Sequence, residues 1–204
     1  MKPLILSFYL ILAPFYAKAE DELDALMQRL KSVKAVKKSY QESRSLEFFD
    51  DHWYGKGFMY ARPPDLMIRQ QTEPKPLLMG IIEDELYYFD SQKGIRHQTR
   101  MDIEDPLAAK VAVFKALITG DRYLLERFYQ IEFKSLPERW LMTLTPRHPD
   151  MGLTIVVSGQ AGQEVDTITV EEGEDRSEFI LQLQQTGAEI VQDIDRLTQQ
   201  LRGE

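Results

Sequence analysis

Between Glu22 and Lys38, apolar residues recur at steps of three and four (Leu23, Leu26, Met27, Leu30, Val33), with Lys and Arg opposite. That spacing predicts an amphipathic helix. Its basic end, Lys31, Lys34, Lys37 and Lys38, complements the negative pole of the helix dipole. Acids lead the segment, so it reads as a packed surface helix rather than a cationic membrane-surface one. From Ser39 the period shortens and Gly, Pro and Asp punctuate the chain. The runs Tyr40–Phe49, Gly57–Ala61, Leu66–Thr72, Leu77–Ile82, Leu86–Asp90 and Ile95–Met101 are expected strands. Turns are expected at Asp84-Glu85 and Gln92-Lys93-Gly94. No helical pattern intervenes to make parallel crossovers, so these strands form an antiparallel meander.

A second helix is marked at both ends. Asp105 suits the N-cap, Pro106 the first helical position and Gly120 the left-handed position beyond the end. Leu107, Val111, Phe114, Leu117 and Ile118 make one stripe inside it, and Asp121–Arg127 adds a short helical turn. Five more strands follow: Tyr129–Lys134, Arg139–Thr145, Leu153–Ser158, Val165–Glu171 and Ser177–Gln184. The tail, Gly187–Leu201, returns to helical spacing through Ile190, Ile194, Leu197 and Leu201. The order is helix, strands, helix, strands, tail. We expect an α+β chain, mainly antiparallel β, as a curved sheet or open barrel of about eleven strands covered by helices.

The first nineteen residues have another purpose. Lys2 precedes an apolar run from Leu4 to Leu12, and Ala17-Lys18-Ala19 places small residues at −3 and −1 before Glu20. This is the order of a cleaved secretory signal peptide, and the run is short of the ~20 residues that span a bilayer. A retained signal anchor is the rival reading. Cleavage after Ala19 leaves residues 20–204 as one domain, large enough to bury a core without disulfides. It removes Lys2 and Lys18 and no acid, taking the formal net charge from −8 to −10. That balance argues against a general nucleic-acid surface. The chain has no cysteine, so it carries no disulfide, thiolate metal site, cysteine nucleophile or lipid-anchor acceptor. A short signal without cysteine favours the periplasm of a Gram-negative bacterium.

Catalytic patterns are missing from the sequence. His52, His97 and His148 form neither a His-Glu-x-x-His motif nor a close pair. Ser158 lacks the preceding glycine of a nucleophile elbow, and the eleven glycines are scattered rather than gathered into a phosphate loop. The run Glu171-Glu172-Gly173-Glu174-Asp175 lacks Ca²⁺-loop spacing and reads as a solvated hairpin turn. No cofactor or metal is implied, and the chain does not read as an enzyme.

Several strands are apolar on both faces. Phe58 and Tyr60 alternate with Met59 and Ala61, while Leu77–Ile82 and Leu86–Phe89 are continuous apolar runs. A sheet with one wet face alternates more cleanly. Either both faces are packed as ordinary core, or a concave face encloses an apolar cavity. The pattern alone leaves both open.

Five segments, in order, resemble the LolA-like periplasmic carriers of outer-membrane lipoproteins. They are Ser39-Tyr40-Gln41-Glu42, Gly57-Phe58-Met59-Tyr60-Ala61-Arg62-Pro63 with Leu66 and Thr72-Glu73-Pro74, Leu117–Asp121 with Leu124 and Phe128, Trp140–Pro146, and Val170–Ser177. The resemblance implies a half-open β-barrel closed by a helical lid, whose interior holds acyl chains and which carries out no covalent chemistry. It implies acylated lipoprotein or acyl-lipid cargo, an inner-membrane release machine, an outer-membrane acceptor and a monomeric carrier. By the same resemblance, Arg62, just before the strand-ending proline, ties barrel to lid. Phe58, Tyr60, Arg62, Leu66, Ile68, Leu78, Leu86, Tyr88, Phe114 and Leu117 are the expected ligand-binding residues. The chain departs from the family pattern at Pro63-Pro64-Asp65, one residue longer before Leu66. Its short tail resembles the divergent LolA-like proteins of aryl-polyene and other acyl-lipid pathways, which makes a glycolipid or polyene lipid the alternative cargo. The alternative function is a periplasmic lipid- or lipoprotein-sensing interaction domain on the same fold.

Overall fold

The computed structural model describes residues 13–45, 52–100, 113–117, 119–148 and 153–204. Expectations that fall on Leu46–Phe49, Met101, Asp105, Pro106, Leu107, Val111 and Ile118, and on the apolar run Leu4–Leu12, lie outside these residues. The first helix, α1, spans Ala13–Ser32. It therefore begins ahead of the expected cleavage point and stops six residues short of the expected end. Only Arg29 and Lys31 remain in its last turn. Lys37 and Lys38 belong instead to β1 (Val36–Ser45), which is hydrogen-bonded on both edges, a demand that overrides helical propensity.

Six strands follow in a meander: β1, then β2 (Trp53–Arg62), β3 (Leu66–Glu73), β4 (Leu77–Ile82), β5 (Glu85–Asp90) and β6 (Ile95–Arg100). The β4–β5 turn falls at Glu83-Asp84, one residue earlier than expected, with Glu83 in a left-handed conformation. At the next turn the Asp90 carboxylate accepts the backbone N–H groups of Gln92 and Lys93, and Gly94 has φ +65°. Residues 113–117 and 119 are helical (α2), followed by α3 (Arg122–Phe128), whose N-cap Asp121 accepts from the Leu124 N–H. The chain then lays down β7 (Tyr129–Ser135), β8 (Arg139–Pro146), β9 (Leu153–Gln160), β10 (Thr167–Glu172) and β11 (Asp175–Thr186). A 3₁₀ turn, Ala188–Ile190, leads into the last helix, α4 (Val191–Arg202).

All eleven strands form one antiparallel sheet in the order β6-β5-β4-β3-β2-β1-β11-β10-β9-β8-β7. The edges β6 and β7 do not pair with each other, so the barrel is open. Leu86 on β5 and Leu153 on β9 line one cavity. Seven strand spacings separate them, roughly 34 Å in a flat sheet, so the sheet curls around that space.

The register divides the side chains into two cores. On the inner face, Met142, Leu144, Ile155, Val157, Ile168, Phe179 and Leu181 meet Leu23, Leu26, Met27 and Leu30 of α1 and Leu117 of α2. Gly120 closes α2 at φ +65°, where a Cβ would lie 2.2 Å from the Met27 carbonyl oxygen, so the two helices cross in backbone contact. Arg122 fastens α3 to α1 through Asp24 at 2.6 Å and Glu20, and to its own helix through Glu126 at 2.7 Å. On the outer face, Tyr60, Leu66, Ile68, Leu78, Ile82, Tyr87 and Phe89 are covered by Ile190, Ile194, Leu197 and Leu201. These four side chains of the tail are the expected helical stripe, and all are buried. Gly80 leaves room for Leu201, whose Cδ1 would lie 2.5 Å from a Cβ there. No helix among the described residues is long and apolar enough to cross a membrane.

Two outcomes follow from this packing. Leu197→Ala empties a fully buried site under α4 and should lower unfolding stability by about 2–5 kcal/mol in a urea titration. Tyr129 is fully buried, its hydroxyl has no hydrogen-bond partner among the described residues, and burial pushes its pKa up to about 12. The folded state then holds this proton more tightly than the unfolded chain, whose tyrosine titrates near 10. The contribution is complete below pH 10 and is lost as pH rises toward 12. Tyr129→Phe should flatten that alkaline fall in melts recorded across the same range.

Candidate functional site

The inner face is not filled uniformly. Over β7–β10 it is packed by α1 and α2, but over β1–β5 it borders a cavity of about 430 Å³. Met59, Met67, Met79, Ile81 and Leu86 form the wall on the meander side, with Leu153, Val170 and Phe179 opposite. Phe114 of α2 reaches over the space and meets Phe179 edge-on, with ring centroids 6.0 Å apart and planes at 74°. Three methionines in one wall give a soft surface that adapts to irregular apolar guests. A smaller void of about 50 Å³ lies beside Leu30, Val33, Met59, Phe114, Leu117 and Leu181, where α1 and α2 approach the sheet.

The ten expected ligand-binding residues separate by face. Leu86 and Phe114 line the larger cavity, and Leu117 and Phe114 border the smaller void. Tyr88 shares the inner face with Leu86 and lies 6.0 Å from the His97 ring. Phe58, Tyr60, Arg62, Leu66, Ile68 and Leu78 are in register on the opposite face, which α4 covers. The reason is the two-residue period of a strand: stepping from Phe58 to Met59 exchanges one face for the other. With both faces apolar, the alternation offered no signal for which side is inner. The methionines at 59, 67 and 79 and the aromatic Phe179 were missed on that account. Their common face becomes readable only from the register Met59↔Arg69↔Met79.

Arg62 does bond a helix, but that helix is α4 on the outer face. Its Nη1 donates to Asp195 Oδ1 at 2.8 Å, and both side chains are well exposed. The polar residues on the cavity wall are Glu42, Arg44, Arg69, Glu172 and Ser177. None of the three histidines joins them, and no group of three or more His, Cys, Asp or Glu among the described residues could hold a metal ion. Glu171 and Arg176 pair at 2.6 Å across the β10–β11 hairpin, where Gly173 takes φ +64°.

A family model described as outer membrane lipoprotein carrier protein LolA-like matches residues 16–200. No curated protein matches the sequence. Among solved structures, a LolA superfamily protein from Nitrosomonas europaea is similar at TM-score 0.46 and 9% identity, covering 84% of this chain and 96% of that one. A DUF1329 family protein from Desulfovibrio piger is similar at TM-score 0.47 and 10% identity, covering 90% and 99%. The lipoprotein LppX of Mycobacterium tuberculosis is similar at TM-score 0.40 and 8% identity, covering 83% and 98%.

An exposed ion pair contributes about 0–1 kcal/mol. A double-mutant cycle with Arg62→Leu and Asp195→Leu should therefore return a coupling of at most about 1 kcal/mol. A coupling several times larger would make this pair a principal fastening of α4.

Proposed function

The chain belongs to the outer membrane lipoprotein carrier protein LolA-like family, a family of carriers rather than enzymes, and on that premise we propose what it carries and how. It shields the acyl chains of a lipoprotein or of a lipid-linked product in the inner-face cavity and conveys them through the periplasm toward the outer membrane. The observation that carries this reading is the cavity itself: apolar side chains from β2–β5 and β9–β11 face one another across it, with Phe114 over the top.

The physical demand is simple. Each methylene exposed to water costs about 0.8 kcal/mol, so a soluble carrier must replace water with apolar side chains along the whole chain. It must also release the cargo. A cavity covered by the half-buried Phe114 side chain meets that need better than a sealed core, because swinging that ring aside opens it without unpairing a strand or emptying the core under α2. In this reading the Phe114 side chain is the moving cover, Leu86 and the three methionines are the contact surface, and α2 and α4 stay in place. Export by a signal peptide cleaved after Ala19, loading at an inner-membrane release machine, delivery to an outer-membrane acceptor and action as a monomer complete the proposal.

Native mass spectrometry with lipid extraction, on protein purified without detergent from its own periplasm, should find acylated lipoprotein or acyl lipid bound. Protein that is free of lipid and also fails to take up a fluorescent acyl probe would sink the proposal. Leu86→Glu sets a carboxylate on the cavity wall between Ile81 and Thr99 and should weaken probe binding at least tenfold, since an unpaired charge in an apolar site costs several kcal/mol. Tyr54→Glu, at a side chain on the outer face 67% exposed, should leave binding as it was.

A further inference from the structure

The cavity wall carries an ion cluster that a purely apolar guest does not require. Glu42, whose side chain is fully buried, stands between two guanidinium groups. Arg44 Nε donates to Glu42 Oε1 at 2.5 Å, and Arg69 Nη2 donates to Glu42 Oε2. Arg69 Nε also donates to the Tyr40 hydroxyl at 3.0 Å, and Arg69 Nη2 to Gln71 Oε1 at 3.1 Å. The Arg44 guanidinium lies 4.7 Å over the Trp53 ring.

Two glycines make this meeting possible. On the inner face of β2, Gly55 pairs with Glu42 and Gly57 with Tyr40. Lacking side chains, they clear β2 so that Arg69 of β3 reaches Tyr40 and Glu42 of β1 across it. A Cβ at Gly57 would lie 2.0 Å from the Gln70 carbonyl oxygen, so glycine is required there.

Burying ions costs several kcal/mol each, and apolar residues of similar volume often serve stability as well or better. Two guanidiniums share the one buried carboxylate of the cavity wall. The other carboxylate on the wall, Glu172, is exposed at the hairpin end of β10. Arg44 is 39% exposed, so a guest in the cavity can reach it. Planar guanidiniums match the oxygens of carboxylates and phosphates.

Resting on the carrier reading above, we propose that the cavity selects acyl amphiphiles with an anionic oxygen head, carboxylate or phosphate. The head sits at Arg44 and Arg69, and the tail lies along Met67, Met79, Ile81 and Leu86.

The test is displacement of a fluorescent acyl probe from the purified exported chain by three ligands of equal tail length: laurate, dodecyl phosphate and dodecanol. The anionic ligands should bind at least about tenfold tighter than dodecanol, as expected for one charge-assisted hydrogen bond. Laurate against dodecyl phosphate separates a fatty-acid-like from a phospholipid-like head. Arg44→Gln should bring the anionic advantage close to one. Glu42→Gln, which removes the carboxylate that competes for both guanidiniums, should widen it. Circular dichroism confirms that each variant is folded. Equal affinity for all three ligands in the native chain, or an advantage that survives Arg44→Gln, overturns the inference and leaves the carrier reading intact. Displacement by none of the three removes the carrier reading, and this inference with it.

Discussion

A sheet that leaves part of one face against a cavity forgoes the burial that normally holds its strands together, so the missing stabilisation must come from the other face. In this protein α4 supplies it. Ile190, Ile194, Leu197 and Leu201 press on Tyr60, Leu66, Ile68, Leu78 and Phe89, directly behind the strands whose inner side chains line the cavity. Leu→Ala changes at such sites cost about 2–5 kcal/mol each, a large share of a domain's net stability of about 5–15 kcal/mol. The outer helix is therefore what makes an inner cavity affordable.

The same division explains the other half of the sheet. Over β7–β10 the inner face is filled by α1 and α2, and the glycine contact of Gly120 on α1 fixes the two helices against each other. The fold thus has one half with its core inside and one half with its core outside. Phe114 stands at the junction, packed on Phe179 and reaching over the cavity. In the proposed reading, the half-buried Phe114 ring at that boundary swings aside while both cores stay packed.

The polar cluster obeys the same economy of space. Gly55 and Gly57 remove side chains from one strand so that those of its neighbours can meet over it. In the proposed reading, guanidiniums set beside methionines on one wall suit an amphiphile rather than a uniform hydrocarbon. In that reading a backbone requirement in β2 bears on the chemistry of the cargo.

Much of this was legible in the sequence. The helical stripes of α1 and α4, the eleven strands and most turns follow from the spacing of apolar residues and from Gly and Asp at turn positions, because these are local preferences of the backbone. The helix-to-strand boundary near Lys34–Lys38 was not legible, since β1's hydrogen bonds on both edges outweigh the local helical pattern. Nor did the sequence alone assign the faces. The runs Leu77–Ile82 and Leu86–Phe89 announce burial on both sides, yet a period of two is the same from either side of a sheet. Which of Phe58 and Met59 meets the cavity depends on where α4 docks and on the direction of curl, and both are set by contacts between residues more than a hundred positions apart. Strand identity was therefore determined by the sequence, and the inner face, with the site on it, by the tertiary structure.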